Sequence, residues 1–259
     1  MRLRTSSAAL VQLADPSRSP ECTPLPAVLQ HLGLSDHEPQ EAHGSVVSLE
    51  DVRASRGASV PASLTGTVFA AQIRALLTTL SVRQDDQTAR TIAVASVAGS
   101  SDASTVAAGL ATMAAISGLR VALIDANLGD PRLHAVFGLR NDPGLADLLL
   151  EQQSARSVLQ SCSIPNLAVI AAGSAGDSRA GLLSRERILH RIEPVIAAFD
   201  FVIIDCATLP PGLVSSASEG ASDVIVGARR HASSLNALRE MLAALHRDGM
   251  DNASVLILE

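Results

Sequence analysis

The sequence predicts an α/β fold, built as a doubly wound, mainly parallel sheet with helices on both faces. Short apolar runs recur along the chain, as expected for strands that are buried on both faces. Stretches with helical periodicity separate these runs. The alternation and its crossover lengths favour parallel strands. The predicted strands are residues 91–96, 120–125, 167–171, 201–205, 223–228 and 253–258, and the predicted helices are residues 66–81, 104–117, 144–151, 184–198 and 233–247.

Composition divides the chain into two parts. Residues 1–60 are rich in proline and serine, so we expect a disordered N-terminal tail. Residues 61–259 carry the strand and helix pattern, so we expect them to form one domain. With 47% hydrophobic residues in a chain of 259, this part can bury one substantial core.

Charge and hydropathy exclude several classes of function. A net charge of −6 gives no electrostatic basis for nucleic-acid binding. No apolar run approaches the roughly 18 residues that a membrane span requires, so we expect no direct span. The three cysteines lack Cys-x-x-Cys spacing, which fits a reducing compartment and predicts a cytoplasmic protein.

Residues 91–105 have the frame of a phosphate-binding loop. An apolar strand leads into a turn of small residues, and Ser104 and Thr105 open an apolar helix. This strand–loop–helix order is that of P-loop nucleotide-binding proteins, whose loop needs glycines and a lysine before the Ser/Thr. Here Ala103 takes the place of the lysine, Asp102 that of the preceding glycine, and the chain has no lysine at all. The predicted vestigial loop is Gly99, Ser100, Ser101, Asp102, Ala103, Ser104 and Thr105.

Two acidic residues end predicted strands. Asp125 and Asp205 each follow four apolar residues. Ligands of doubly wound sheets bind at the carboxyl ends of the strands. With Ser104, these carboxylates predict a vestigial magnesium shell, since Mg²⁺ prefers oxygen ligands. The alternative is that each Asp caps the turn or helix that follows it.

Residues 121–150 carry a family resemblance. An apolar strand leads to Asp125-Ala-Asn127, then to a Pro-Arg-Leu-His-Ala-Val-Phe-Gly-Leu run and to Gly-Leu-Ala-Asp-Leu-Leu. This block resembles the bacterial tyrosine kinases that partner polysaccharide co-polymerases in capsule and exopolysaccharide synthesis. Residues 166–173, 182–187 and 199–205 support the resemblance, which covers about residues 64–259 and implies a P-loop NTPase fold.

The departures from the family concentrate in its chemistry. The family loop reads Gly-x-Gly-Lys-Ser-Thr where this chain has residues 100–105, and the second Asp of its Asp-x-Asp is Asn127. After Asp205 the family has Thr-Pro-Pro, and this chain has Cys206-Ala-Thr208. The chain contains no tyrosine, so the family's tyrosine-rich tail has no counterpart.

The loop substitutions are large in electrostatic terms. At about 4 Å and an effective dielectric near 20, a pair of unit charges is worth roughly 4 kcal/mol. Replacing an ammonium by a neutral side chain, beside an added carboxylate at Asp102, therefore predicts much weaker binding of triphosphate. We expect no cofactor, although ATP and Mg²⁺ remain open if the loop retains affinity.

The resemblance implies a function, and the departures modify it. We expect a catalytically inactive or impaired kinase-like protein, with vestigial Asp125, Asn127 and Asp205, acting in exopolysaccharide (capsule or holdfast-like) biosynthesis or export. Its expected partners are cytoplasmic segments of a Wzz-like inner-membrane polysaccharide co-polymerase, which would hold it at the inner membrane. The alternatives are a weakly active ATPase or protein kinase in the same pathway and, with less support, a positioning ATPase of the septum-site or plasmid-partition type.

The predicted helix of residues 66–81 bears on how the protein assembles. The family's oligomerising helix carries Glu-x-x-Arg-x-x-Arg, and the matching positions here are Ala71, Arg74 and Leu77. We therefore expect a monomer or a dimer and no ring.

Overall fold

A seven-stranded sheet forms the centre of the protein in the computed structural model. The structure describes residues 67–81, 89–97, 102–174, 179–183, 191–193, 197–218, 220–229 and 233–258, so the predicted tail of residues 1–60 lies outside the described part. The strands are β1 (Arg90–Ser96), β2 (Val121–Asp125), β3 (Leu159–Ser161), β4 (Leu167–Ile170), β5 (Phe201–Cys206), β6 (Asp223–Arg229) and β7 (Ala253–Leu258). The helices are α1 (Thr67–Ser81), α2 (Asp102–Ile116), α3 (Leu133–Val136), α4 (Leu145–Leu149), α5 (Ala155–Val158), α6 (Arg179–Leu182), α7 (Pro211–Ala217) and α8 (Leu235–Arg247).

The strand order confirms the doubly wound sheet. It runs β3-β4-β2-β5-β1-β6-β7, and all neighbouring strands are parallel except β3, which is antiparallel to β4. All six predicted strands are present, with each end within one residue of its predicted position. Strand β3 was not predicted.

Helices cover both faces of the sheet because alternate residues of each strand point to opposite sides. On one face, Ala93 and Ile204 belong to an apolar core that includes Leu145 of α4, Val214 of α7 and Leu245 of α8. On the other face, Ile92, Val94 and Ile203 pack in a second core with Ile73 of α1 and Leu110 of α2. The continuous apolar strands of the sequence are thus explained by burial on both sides.

The topology places three predicted site residues at one edge of the sheet. Strands β2 and β5 are adjacent and parallel, and Asp125 lies opposite Asp205 in their register. Helix α2 follows β1, the other neighbour of β5, and begins at Asp102, two residues before the predicted start of that helix. Ser104 therefore lies in the first turn of α2, at the carboxyl edge of the central strands.

The predicted helix over residues 184–198 lies mostly outside the described part, within which residues 191–193 are helical. No helix in the described ranges combines the length and apolar character that crossing a bilayer requires.

Candidate functional site

Two fully buried carboxylates face the carboxyl edge of the sheet. Asp125 and Asp205 are both 0% exposed. They are neighbours across β2 and β5, the arrangement predicted from the two apolar runs that each end in an Asp. Because a buried carboxylate is costly without compensation, the partners of each one determine what this site can do.

Asp125 is fully engaged by the backbone that follows it. Its Oδ1 accepts a hydrogen bond from the N–H of Asn127 at 3.1 Å. Its Oδ2 accepts from the N–H of Arg132 at 3.2 Å and from that of Leu133 at 3.1 Å. The carboxylate therefore shapes the loop after β2 and satisfies N–H groups at the start of α3, as the capping alternative anticipates.

Asp205 is engaged on one oxygen only. Its Oδ1 accepts from the N–H of Ala207 at 3.0 Å. Its Oδ2 is buried and makes no hydrogen bond within the described ranges, and the same holds for the hydroxyl of Ser104. The Ser104 hydroxyl nevertheless lies near enough to Asp205 to lower the pKa of that carboxyl. The two unsatisfied oxygens thus lie together at the base of α2.

Burial dominates the electrostatics of the pair. Desolvation raises the pKa of Asp125 to about 6, against the opposing effect of its three backbone donors. Desolvation, together with the neighbouring charge of Asp125, raises the pKa of Asp205 to about 7. The two carboxyl groups therefore carry more protons in acidic solution than in neutral solution.

The loop that would hold phosphate is described only in part. Gly99, Ser100 and Ser101 lie outside the described residues, and Asp102 is described only as the first residue of α2. Ala103, at the position of the family's lysine, is 0% exposed and belongs to the apolar core beneath α2. Thr105 is partly exposed.

The described arginines around the site are engaged elsewhere. Arg132 lies in the loop after β2, but its exposed guanidinium pairs with Asp130 at 2.7 Å. Arg120 pairs with Asp200 just before β2 and β5 begin, at the opposite edge of the sheet. The charge of Arg132 lowers the pKa of Asp205.

Asn127 is held by the two loops that follow β2 and β5. It is 1% exposed, and its Nδ2 donates to the carbonyl of Asp130 at 2.6 Å. Its Oδ1 accepts a hydrogen bond from the hydroxyl of Thr208. From the sequence, Asn127 could be identified only as a replacement for the family's second Asp. Its contact with Thr208 could not be predicted, because nothing in the sequence indicates that residues 81 positions apart lie together.

The side-chain oxygens at this site suit a hard cation better than they suit a phosphate group. Ser104 Oγ and Asp205 Oδ2 are buried oxygens close to each other that make no hydrogen bond to any other described residue, and oxygens of this kind suit Mg²⁺. The Asp125 carboxylate already accepts three backbone hydrogen bonds. The described residues include no group of three or more His, Cys, Asp or Glu side chains placed to hold a metal ion.

Comparison with known proteins identifies relatives of this site and fold. Residues 89–249 match the family described as AAA domain. The tyrosine-protein kinase ptk of Acinetobacter johnsonii is 36% identical over 123 residues, which is 46% of this chain and 17% of that protein. The tyrosine-protein kinase YwqD of Bacillus subtilis (strain 168) is 32% identical over 134 residues, or 52% and 56% of the two chains. The succinoglycan biosynthesis transport protein ExoP of Rhizobium meliloti (strain 1021) is 31% identical over 140 residues, which is 53% of this chain and 18% of that protein.

The matched region is thus at most 56% of the length of any of these three relatives. Among solved structures, the kinase domain of the Escherichia coli tyrosine kinase ETK aligns with a TM-score of 0.69 at 19% identity. The alignment covers 90% of this chain and 87% of that one. At this level of identity the likeness establishes the fold and does not extend to activity.

Proposed function

The chain belongs to the family described as AAA domain, and we propose that it is a catalytically inactive or impaired relative of the bacterial tyrosine kinases. It acts, on this proposal, as a docking body for the cytoplasmic segments of a membrane polysaccharide co-polymerase. Through that contact it serves exopolysaccharide biosynthesis or export. Nucleotide turnover is not part of its role.

The observation that carries this proposal is the environment of Ala103. Catalysis of phosphoryl transfer depends on positive groups fixed beside the transferred phosphoryl group. The position of the family's lysine holds a methyl group inside an apolar core. The guanidinium of Arg132, in the loop beside the carboxylates, pairs with Asp130.

The preserved scaffold supports a binding role. The sheet, both apolar cores and the two strand-end carboxylates are intact, whereas the lysine and the acid at position 127 are replaced. A protein that keeps the fold but loses the catalytic groups can still bind a partner through its surface. ExoP is named as a succinoglycan biosynthesis transport protein, which supports a role in polysaccharide synthesis or export for the present chain.

Complex formation without nucleotide is the direct test. The full chain is mixed with peptides that represent the cytoplasmic termini of the Wzz-like co-polymerase from the same genome, in EDTA and without ATP. We expect a saturable complex by isothermal titration calorimetry, with the same affinity after ATP and Mg²⁺ are added. Binding that strictly requires ATP and Mg²⁺ would refute the proposal.

A weakly active ATPase or protein kinase is the second candidate. The unsatisfied Ser104 Oγ and Asp205 Oδ2 favour it, because they remain suited to a cation beside a phosphate. Purified protein would then bind a fluorescent ATP analogue and lose it on Asp205→Ala. The matched control is Asp251→Ala, which removes an exposed carboxylate that pairs with His246, between α8 and β7.

A further inference from the structure

The side chain of Asn127 is the meeting point of two loops. It lies in the turn after β2, and both ends of its amide are used while the residue is almost fully buried. One bond stays within its own loop, to the carbonyl of Asp130. The other crosses to Thr208, in the turn after β5.

The chemistry of these bonds requires an amide at position 127. Only an N–H can donate to the Asp130 carbonyl, so this contact fixes which end of the amide faces Thr208. An ionised carboxylate accepts hydrogen bonds and donates none. An Asp here would set an oxygen against the Asp130 carbonyl and add a third acid beside Asp125 and Asp205.

Apart from the bond that the N–H of Ala126 donates to the backbone carbonyl of Asp205 in β5, the described contacts of the loop after β2 are mainly with its own strand. The Asp125 carboxylate holds the N–H groups of Asn127, Arg132 and Leu133. These contacts fix the shape of the loop. The Asn127–Thr208 hydrogen bond adds a side-chain contact with the turn after β5, across the edge where the two buried carboxylates lie.

We propose that Asn127 and Thr208 form a side-chain strap that holds the loops after β2 and β5 together over the carboxylate pair without any ligand. Both are positioning residues. The substitution of the family's acid by Asn127 is then a structural replacement as well as a chemical loss, and returning an acid to position 127 breaks the strap. This inference concerns the protein alone, so it stands or falls independently of the proposed partner.

Hydrogen–deuterium exchange of the full chain tests the strap. Thr208→Val replaces the hydroxyl by a methyl group of similar size, and because Thr208 is exposed this change disturbs little packing. We expect amide exchange in residues 126–133 and 207–209 to accelerate about tenfold, the effect of losing one hydrogen bond on local opening. Exchange in α8 should not change. Thr208→Ser, which keeps the hydroxyl, should leave the amide exchange of both loops as slow as in the natural protein.

Two further variants separate the strap from a general loss of stability. Thr78→Val alters another exposed threonine, in α1, and should leave exchange in both loops unchanged. Asn127→Asp should accelerate exchange in both loops, and its side chain cannot replace the donor to Asp130. The proposal is overturned if amide exchange in both loops of Thr208→Val is as slow as in the natural protein. It is also overturned if Thr208→Ser accelerates that exchange as much as Thr208→Val does.

Discussion

Asp205 holds the least compensated charge among the buried acids described here. One of its oxygens makes no hydrogen bond to a described residue, and its nearest acidic neighbour across the sheet is also buried. Asp125 differs because three backbone donors offset part of its desolvation. Two identical side chains at equivalent strand ends therefore have different roles: one shapes a loop, and the other keeps a free oxygen.

Replacing Asp205 by Asn should stabilise the protein at neutral pH. The pKa of Asp205 is raised in the folded state to about 7, so the folded protein binds more protons than the unfolded chain. The free energy of unfolding therefore falls as pH rises from about 4 to about 7. Asp205→Asn removes this cost and keeps the acceptor for Ala207, so we expect a gain of roughly 1 to 3 kcal/mol at pH 8.

Urea denaturation at pH 8 and at pH 5 measures that effect. The gain should shrink at pH 5, where the natural side chain is mostly protonated. Asp130→Asn is the control, because Asp130 is exposed and should change stability little at either pH. A variant of Asp205 that is less stable at pH 8 than the natural protein would contradict the account of desolvation.

At the scale of elements, a buried ion pair joins α1 to the sheet. The guanidinium of Arg90, at the start of β1, bonds to the carboxylate of Asp223, at the start of β6, with Nε at 3.0 Å from Oδ2. The same guanidinium donates to the carbonyl of Leu80 in the last turn of α1. Arg90 and Asp223 are 5% and 2% exposed, so water does not screen this contact.

Arg90→Ala should cost far more stability than Arg120→Ala. Removing Arg90 leaves the buried Asp223 carboxylate without its arginine and frees the end of α1, so we expect a loss of about 3 to 5 kcal/mol. Arg120 also pairs with an Asp, but its side chain is 26% exposed, and we expect a loss of about 1 kcal/mol. Chemical denaturation of both variants provides the comparison, and equal losses would show that burial does not set the cost.

Gly144 permits the close approach of α4 to the end of β4. A Cβ at this position would meet the backbone nitrogen of Gly173 and the carbonyl oxygen of Ala171 well inside contact distance. Because both obstacles are backbone atoms, Gly144→Ala should destabilise the protein by about 2 to 4 kcal/mol. Gly129→Ala, with no atom within 4 Å of the added carbon, should leave the melting temperature nearly unchanged.

The elements differ in how far the sequence could predict them. Strands β1, β2, β4, β5 and β6 were predictable because each is buried on both faces and therefore appears in the sequence as an apolar run. Strand β7 was also predicted from an apolar run, although it lies at the edge of the sheet and its described residues are partly exposed. Strand β3 was not, since its three residues are half-buried and pair antiparallel at the edge of the sheet. The short helices α3, α5 and α7 have too few residues to show a helical period.

The same distinction applies to the site. Ser104, Asp125 and Asp205 could be grouped from the sequence because each lies next to the carboxyl end of a strand. The different hydrogen bonding of the two carboxylates could not be predicted, because it depends on where the N–H groups of Arg132 and Leu133 point. The Asn127–Thr208 contact depends on β2 and β5 being neighbours in space, which the order of residues does not state.

For the whole molecule, the balance of charge argues against tight binding of nucleotide. Every fixed side-chain cation is an arginine, and the net charge is −6. Arg132, in the loop beside the carboxylates, pairs with Asp130. Arg90 and Arg120 form their ion pairs with Asp223 and Asp200 at the opposite edge of the sheet. A polyanion would therefore meet a site whose described acids are buried and whose neighbouring arginine is engaged.

Mg-ATP should consequently leave the thermal stability of the protein unchanged. A ligand at a hundred times its Kd stabilises a folded protein by about 2.7 kcal/mol, which shifts the melting temperature of a domain of this size by several degrees. With the lysine absent, we expect a Kd above about 10 mM, so about 1 mM Mg-ATP would contribute less than roughly 0.1 kcal/mol. Differential scanning calorimetry with Mg-ATP, and with EDTA as the control, measures the shift. A relative whose loop reads Gly-x-Gly-Lys-Ser-Thr is the positive comparison. A saturable rise in the melting temperature that Ser104→Ala abolishes would show instead that the loop still holds nucleotide.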